Sequence, residues 1–173
     1  FILIFTFLAF FVFFSQKTQA QTNFSTFYSV TYKVEENQTT TVTLDVELRN
    51  NTSDFYASSY KIQTGFEGIK NIKGSDLGGD LKIISKENSG GTLLSFDFNE
   101  KVVGINNSQK FKVSFETLEI AKNYGDIWEI NIPGIANQED YAQFSATVVV
   151  PQSFGNPNII KPKAQDLKFS QNS

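Results

Sequence analysis

Acid–base chemistry without histidine needs two carboxylates held across a cleft, and the sequence offers two adjacent pairs, Glu35 with Glu36 and Glu139 with Asp140. Both pairs sit in polar, turn-like stretches, where solvated surface charge accounts for them. Asp45 and Glu47 fall on the outward face of a strand, where water keeps them ionised. Gly74-Ser75-Asp76-Leu77-Gly78-Gly79-Asp80 sets two carboxylates in a glycine-rich loop, the setting in which extracellular β-domains bind calcium. Two carboxylates fall short of the oxygen cage calcium requires, and a plain inter-strand turn explains the same residues. Trp128 and Tyr124 have the ring chemistry to stack on a sugar. Trp128 alternates with Ile130 and Ile132 against Glu129 and Asn131, so it is expected in the core, whereas Tyr124, beside Gly125-Asp126, is expected exposed.

The sequence contains no His and no Cys. Ser-His triads, thiol catalysis and the usual zinc ligand sets are therefore excluded. No glycine-rich loop leads into a helix, so no phosphate cradle is expected. No catalytic, cofactor-binding or metal-binding residue is assigned, and no cofactor is expected.

The elements that would carry these residues are read from periodicity. Tyr28, Val30, Tyr32 and Val34 alternate with polar residues, as do Val42, Leu44, Val46 and Leu48. A period of two puts each set on one face of a strand, and the polar Glu35-Glu36-Asn37-Gln38 link predicts a hairpin between them. Tyr60-Ile62-Thr64 and the Ile69–Ile72 piece follow. Leu81 to Ile84 and Leu93 to Phe98 predict a second hairpin across the turn at Glu87-Asn88-Ser89-Gly90-Gly91. Phe111-Val113-Phe115, Trp128-Ile130-Ile132 and Phe144-Ala146-Val148-Val150 complete the series, the last two stopped by Pro133 and Pro151. Strands at this spacing predict an all-β fold, an antiparallel β-sandwich of about eight or nine strands. A short helix over Thr117 to Tyr124 is the best helical candidate. From Ser153 to Ser173 the chain is polar and proline-punctuated, and reads as a linker after a domain covering 21–152.

Phe1 to Phe14 is apolar apart from Thr6, and Ser15-Gln16-Lys17-Thr18-Gln19-Ala20 follows. That is the pattern of a signal peptide over 1–20, with small residues at Thr18 and Ala20 directing cleavage between Ala20 and Gln21. A basic segment upstream of Phe1 is expected with it. An uncleaved signal anchor is the alternative, and either places the remainder outside the cytosol, secreted or membrane-anchored. Loss of Lys17 takes the net charge from −3 to −4, a mildly acidic balance with no basic patch for nucleic acid. Without cysteine the mature domain must hold together through its core, and about 150 residues are enough for that. Asn23, Asn37, Asn51 and Asn106 begin Asn-X-Ser/Thr sequons, a number that this Asn-, Ser- and Thr-rich composition produces by chance.

Several stretches resemble the N-terminal region of extracytoplasmic bacterial transglutaminase-like proteins. They are Phe24-Ser25-Thr26-Phe27-Tyr28, Tyr56-Ala57-Ser58-Ser59-Tyr60 and Phe98 to Gly104, then Asp126-Ile127-Trp128-Glu129-Ile130-Asn131-Ile132-Pro133-Gly134 and Val150-Pro151-Gln152-Ser153-Phe154-Gly155. These are strand and turn motifs, and no catalytic residue of the family carries over. The resemblance implies a non-catalytic accessory domain that spaces or positions a papain-like domain elsewhere in a longer secreted or membrane-attached chain. Its partners would be the further domains of that chain, with contact to the membrane only through the N-terminal segment or an anchor. A free-standing extracellular binding module, of adhesin or carbohydrate-recognition type with a surface protein or glycan as partner, is the other expectation.

Overall fold

The computed structural model describes residues 23–134 and 141–168. The expected cleavage site at Ala20 and Gln21 and the acidic pair Glu139–Asp140 lie outside those residues. Alternation dictates the first two strands, β1 (Phe24–Val34) and β2 (Thr40–Asn50). Val30, Tyr32 and Val34 are buried from one, and Val42, Leu44, Val46 and Leu48 from the other. They pair antiparallel with Val30 opposite Leu44 and Tyr32 opposite Val42, as a hairpin demands. Its loop closes through the Glu35 N–H on the Thr39 carbonyl at 2.9 Å.

Ten-residue β8 (Ser108–Thr117) joins β2, setting Val113 opposite Leu44 and Phe115 opposite Val42. Beyond it lie β4 (Lys70–Asp76) and the two-residue β5 (Gly79–Asp80), and on the far side of β1 lies β11 (Gln143–Val149). The result is a six-stranded sheet in the order β11-β1-β2-β8-β4-β5. A three-stranded sheet, β3 (Ser59–Gln63), β7 (Gly91–Asp97) and β6 (Ile84–Asn88) in the order β3-β7-β6, faces its apolar side. A third, two-stranded piece pairs β9 (Ala121–Asn123) with β10 (Trp128–Ile130).

Aromatic rings join the two larger sheets. Phe111 of β8 is met by Tyr60 of β3 at a centroid distance of 4.9 Å, by Phe96 of β7 at 5.4 Å and by Phe98 at 5.3 Å. Leu94 and Val113 are sealed from solvent beside them. Gly91 holds the start of β7 against the loop between β3 and β4. Its φ is +100°, and a Cβ there would come within 2.7 Å of the Phe66 backbone nitrogen, so only glycine fits.

The all-β expectation holds, with eleven strands among the described residues. The excess over eight or nine comes from short pieces such as β5 and β9, which carry too few residues to show a period. The helix expected over Thr117 to Tyr124 is not there. Thr117 ends β8, its Oγ accepts the Glu119 N–H at 3.2 Å to make a turn, and β9 follows. Backbone pairing decides the matter, because Ala121–Asn123 ladders antiparallel with Trp128–Ile130 and the Ile120 carbonyl accepts the Asn131 N–H at 2.9 Å, bonds that a helix would make within itself. One pairing also departs from the antiparallel rule. The Ala142 N–H donates to the Thr26 carbonyl at 2.9 Å, so β11 starts beside the start of β1 and runs parallel to it. The expected face of Phe144, Ala146, Val148 and Val150 is only half realised: Phe144 packs on the core, while Val148 and Val150 are 42% and 39% exposed.

If Phe111 joins the layers, Phe111→Ala lowers the unfolding free energy by about 3–5 kcal/mol. Ile84→Ala, on a strand residue 63% exposed, changes it by less than about 0.5 kcal/mol. Urea titration of the two variants checks the contrast, and equal losses would relocate the core.

Candidate functional site

The outward face of the six-stranded sheet gathers most of its charge into ladders. The β1–β2 and β2–β8 registers line up Phe27, Glu47 and Lys110 in one row and Ser29, Asp45 and Lys112 in the next. Lys112 pairs with Asp45 at 3.1 Å. Glu47 accepts the Ser108 hydroxyl at 2.7 Å and the Arg49 guanidinium at 3.2 Å, with the Lys110 ammonium at 3.5 Å. Arg49 in turn lies 4.5 Å over the Phe27 ring. Over these rows runs an open depression of about 650 Å³. The hydrogen bond from Ser108, with Arg49 and Lys110 adding to it against the cost of burial, holds the Glu47 carboxyl below its ordinary value. A carboxylate lowered in this way is a poor proton donor, the opposite of a glycosidase acid.

The other acidic candidates are occupied by turns. Glu35 binds Lys33 at 2.8 Å, and Glu36 accepts the Ser153 hydroxyl at 2.6 Å. Asp76 caps the β4–β5 turn: its Oδ1 accepts the Gly78 N–H at 2.8 Å and its Oδ2 accepts the Asn99 N–H at 2.8 Å. The Asn99 side-chain amide also donates to Oδ1, at 2.9 Å. This is the inter-strand turn expected of the glycine-rich loop. Among the described residues no three acidic side chains gather to hold a metal ion. The inner-face phenols are equally unsuited to proton transfer near neutrality, since burial pushes Tyr60 up to about 12 and Tyr28 higher still.

Trp128 is corrected by the structure. It is half-buried rather than in the core, and Ile132 on the same expected face is 39% exposed. The reason is the shortness of β10, which ends at Ile130 and pairs with β9 in a separate two-stranded sheet at the margin of the core, so that of its residues only Ile130 packs on the core. The Trp128 ring is instead taken by Phe154, stacked at 3.9 Å and 14° between planes. Phe154 closes a short 3₁₀ turn over Gln152–Phe154 that follows Pro151. Tyr124 is 61% exposed at the tip of the β9–β10 hairpin, as expected.

Phe154, Ser153 and Glu36 thus form a constellation that periodicity does not reveal. The available signal was Phe154 itself, an aromatic three residues after Pro151 at the start of a largely polar stretch. Among the described residues no helix is long and apolar enough to cross a membrane. No protein-family profile matches the chain, and no curated protein matches it.

Because the folded pKa of Glu47 lies below its unfolded value, its contribution to stability is present above the ordinary carboxylate range. That contribution is lost as pH falls through the folded value. Glu47→Gln is expected to cost up to about 1 kcal/mol at neutral pH, as partly exposed pairs do. The gap to wild type should narrow at an acid pH below the ordinary carboxylate range, as Glu47 takes up its proton. Urea midpoints at the two pH values check it, and a gap independent of pH would contradict the assignment.

Proposed function

We propose that this chain is an exported, non-catalytic β-sandwich that fixes the direction in which the polypeptide leaves it, as an accessory domain of a transglutaminase-like protein outside the cytosol. The observation that carries this reading is the anchoring of the segment after β11. Phe154 stacks on Trp128 of the β9–β10 hairpin, and one residue earlier Ser153 donates to Glu36 in the β1–β2 loop. Two contacts to two separate elements, flanked by Pro151 with its restricted φ, leave the exit little freedom to pivot. A spacer with a free exit could tether a neighbour but not orient it. The sequence features consistent with this role are the signal-like N-terminal run, the polar stretch from Ser153 onward and the lack of His and Cys.

A second reading, a carbohydrate-binding module, draws on the half-exposed Trp128 with Tyr124 exposed nearby in sequence. One face of the Trp128 ring is already covered by Phe154, which leaves less of it for a sugar.

The single tryptophan reports on both readings. Phe154→Ala should shift its emission to the red and raise its quenching by acrylamide, with the unfolding free energy lowered by about 1 kcal/mol. Oligosaccharides added to wild type should leave the emission unchanged. Saturable changes with a glycan would favour the second reading. Turnover of glutamine-acyl or glycoside substrates by the purified chain, abolished by one Glu→Gln or Asp→Asn change, would overturn the non-catalytic assignment.

A further inference from the structure

Every open sheet exposes its outermost strands, and folded proteins blunt such edges with charge, proline or brevity. Here β5 is only two residues long, β3 carries Lys61, and β6 carries Lys86 and Glu87. β11 has none of these devices. Its seven residues, Gln143-Phe144-Ser145-Ala146-Thr147-Val148-Val149, include no charge, no proline and no glycine. Among the described residues it pairs with β1 on one side and with no strand on the other, and Val148 and Val149 are 42% and 43% exposed.

The order of residues along β11 indicates what completes it. About Ala146 the strand reads almost the same in both directions: Phe144 and Val148 are the apolar flanks on the core side, and Ser145 and Thr147 are the small hydroxyls on the outer side. We propose that β11 of a second copy of this chain pairs antiparallel with this one about a two-fold axis at Ala146. Phe144 then lies opposite Val148 of the second copy, Ser145 opposite Thr147, and the smallest side chain meets itself on the axis. From Phe144 to Val148 apolar pairs with apolar and hydroxyl with hydroxyl, the cross-strand combinations that stabilise sheets; Gln143 meets Val149 at the ends, and no charge opposes a like charge. A two-fold axis makes the contact self-limiting, since each copy uses its one unprotected long edge. The six-stranded sheet becomes a continuous twelve-stranded one, and the exposed apolar side chains of β11 gain cover.

Sedimentation equilibrium of the full chain over roughly 1–100 µM, the range in which small interfaces associate, tests the pairing. Wild type should form dimers. Ala146→Lys and Ala146→Glu each set like charges on the axis and should be monomeric, with thermal midpoints near wild type because Ala146 is exposed. Mixing the two variants should restore a dimer holding one of each. The chain has no Cys, so a single Ala146→Cys change should give a disulfide-linked dimer on oxidation, and Val149→Cys, facing Gln143, should not. Monomeric wild type, as when a segment of the same chain lies along β11, would overturn the proposal. So would a dimer indifferent to both charge variants, which would place the contact elsewhere.

Discussion

The apolar face shared by the two main sheets is the constraint from which the rest of this structure follows. With no cysteine in the sequence, no disulfide holds the layers together, and the layers are held by rings meeting across the gap. Phe111 takes contacts from Tyr60, Phe96 and Phe98, while Phe66 meets Phe115 at 6.0 Å further along the same strand. Such contacts fix the separation and registry of the sheets, because aromatic pairs favour a narrow range of tilt and offset. Three strands cannot cover six. The margin of the core is met by the separate β9–β10 hairpin, which adds Ala121 and Ile130 next to Ile120.

That margin is where the features bearing on function arise. Trp128 sits on it, too far out to be buried by the main layers and close enough to the chain's exit to receive Phe154. The outward face of the large sheet behaves differently. Its acids are matched to bases by strand register, Asp45 to Lys112 and Glu47 to Lys110, and the Ser108 hydroxyl helps to hold the Glu47 carboxyl below its ordinary value. The cross-strand pairs that favour the register also balance the charge of that face.

Much of this fold was legible in the sequence, for a definable reason. Strands long enough to show several alternations, β1, β2, β7 and β8, announce both themselves and their buried faces, so Val30, Leu44 and Val113 fall where the period puts them. Short elements do not. Three residues of β9 cannot display a period, and the buried positions Thr117, Ile120 and Ala121 have helical spacing, so that only the pairing of β9 with β10 shows the segment to be extended. Trp128 was misplaced because alternation tells which residues share a face but not whether anything covers that face. The parallel pairing of β11 and the Ser153–Glu36 contact join residues more than a hundred positions apart, and local pattern carries no record of such partners. The turn role of Asp76, by contrast, follows from its own loop: an acid two residues before a glycine N–H.

An oriented exit is the central claim, and distances between spin labels test it most directly. Because the chain has no native cysteine, labels can be placed by paired changes alone, Lys61→Cys on β3 with Asn156→Cys just past the 3₁₀ turn. The reference pair is Lys61→Cys with Gln143→Cys, both within strands. Double electron–electron resonance on samples diluted with unlabelled protein should give a single distance distribution for the first pair, as narrow as that of the reference. Adding Trp128→Ala should broaden the first pair alone. A broad distribution in the otherwise native chain, unchanged by Trp128→Ala, would contradict the account and reduce the segment beyond Pro151 to a free tether.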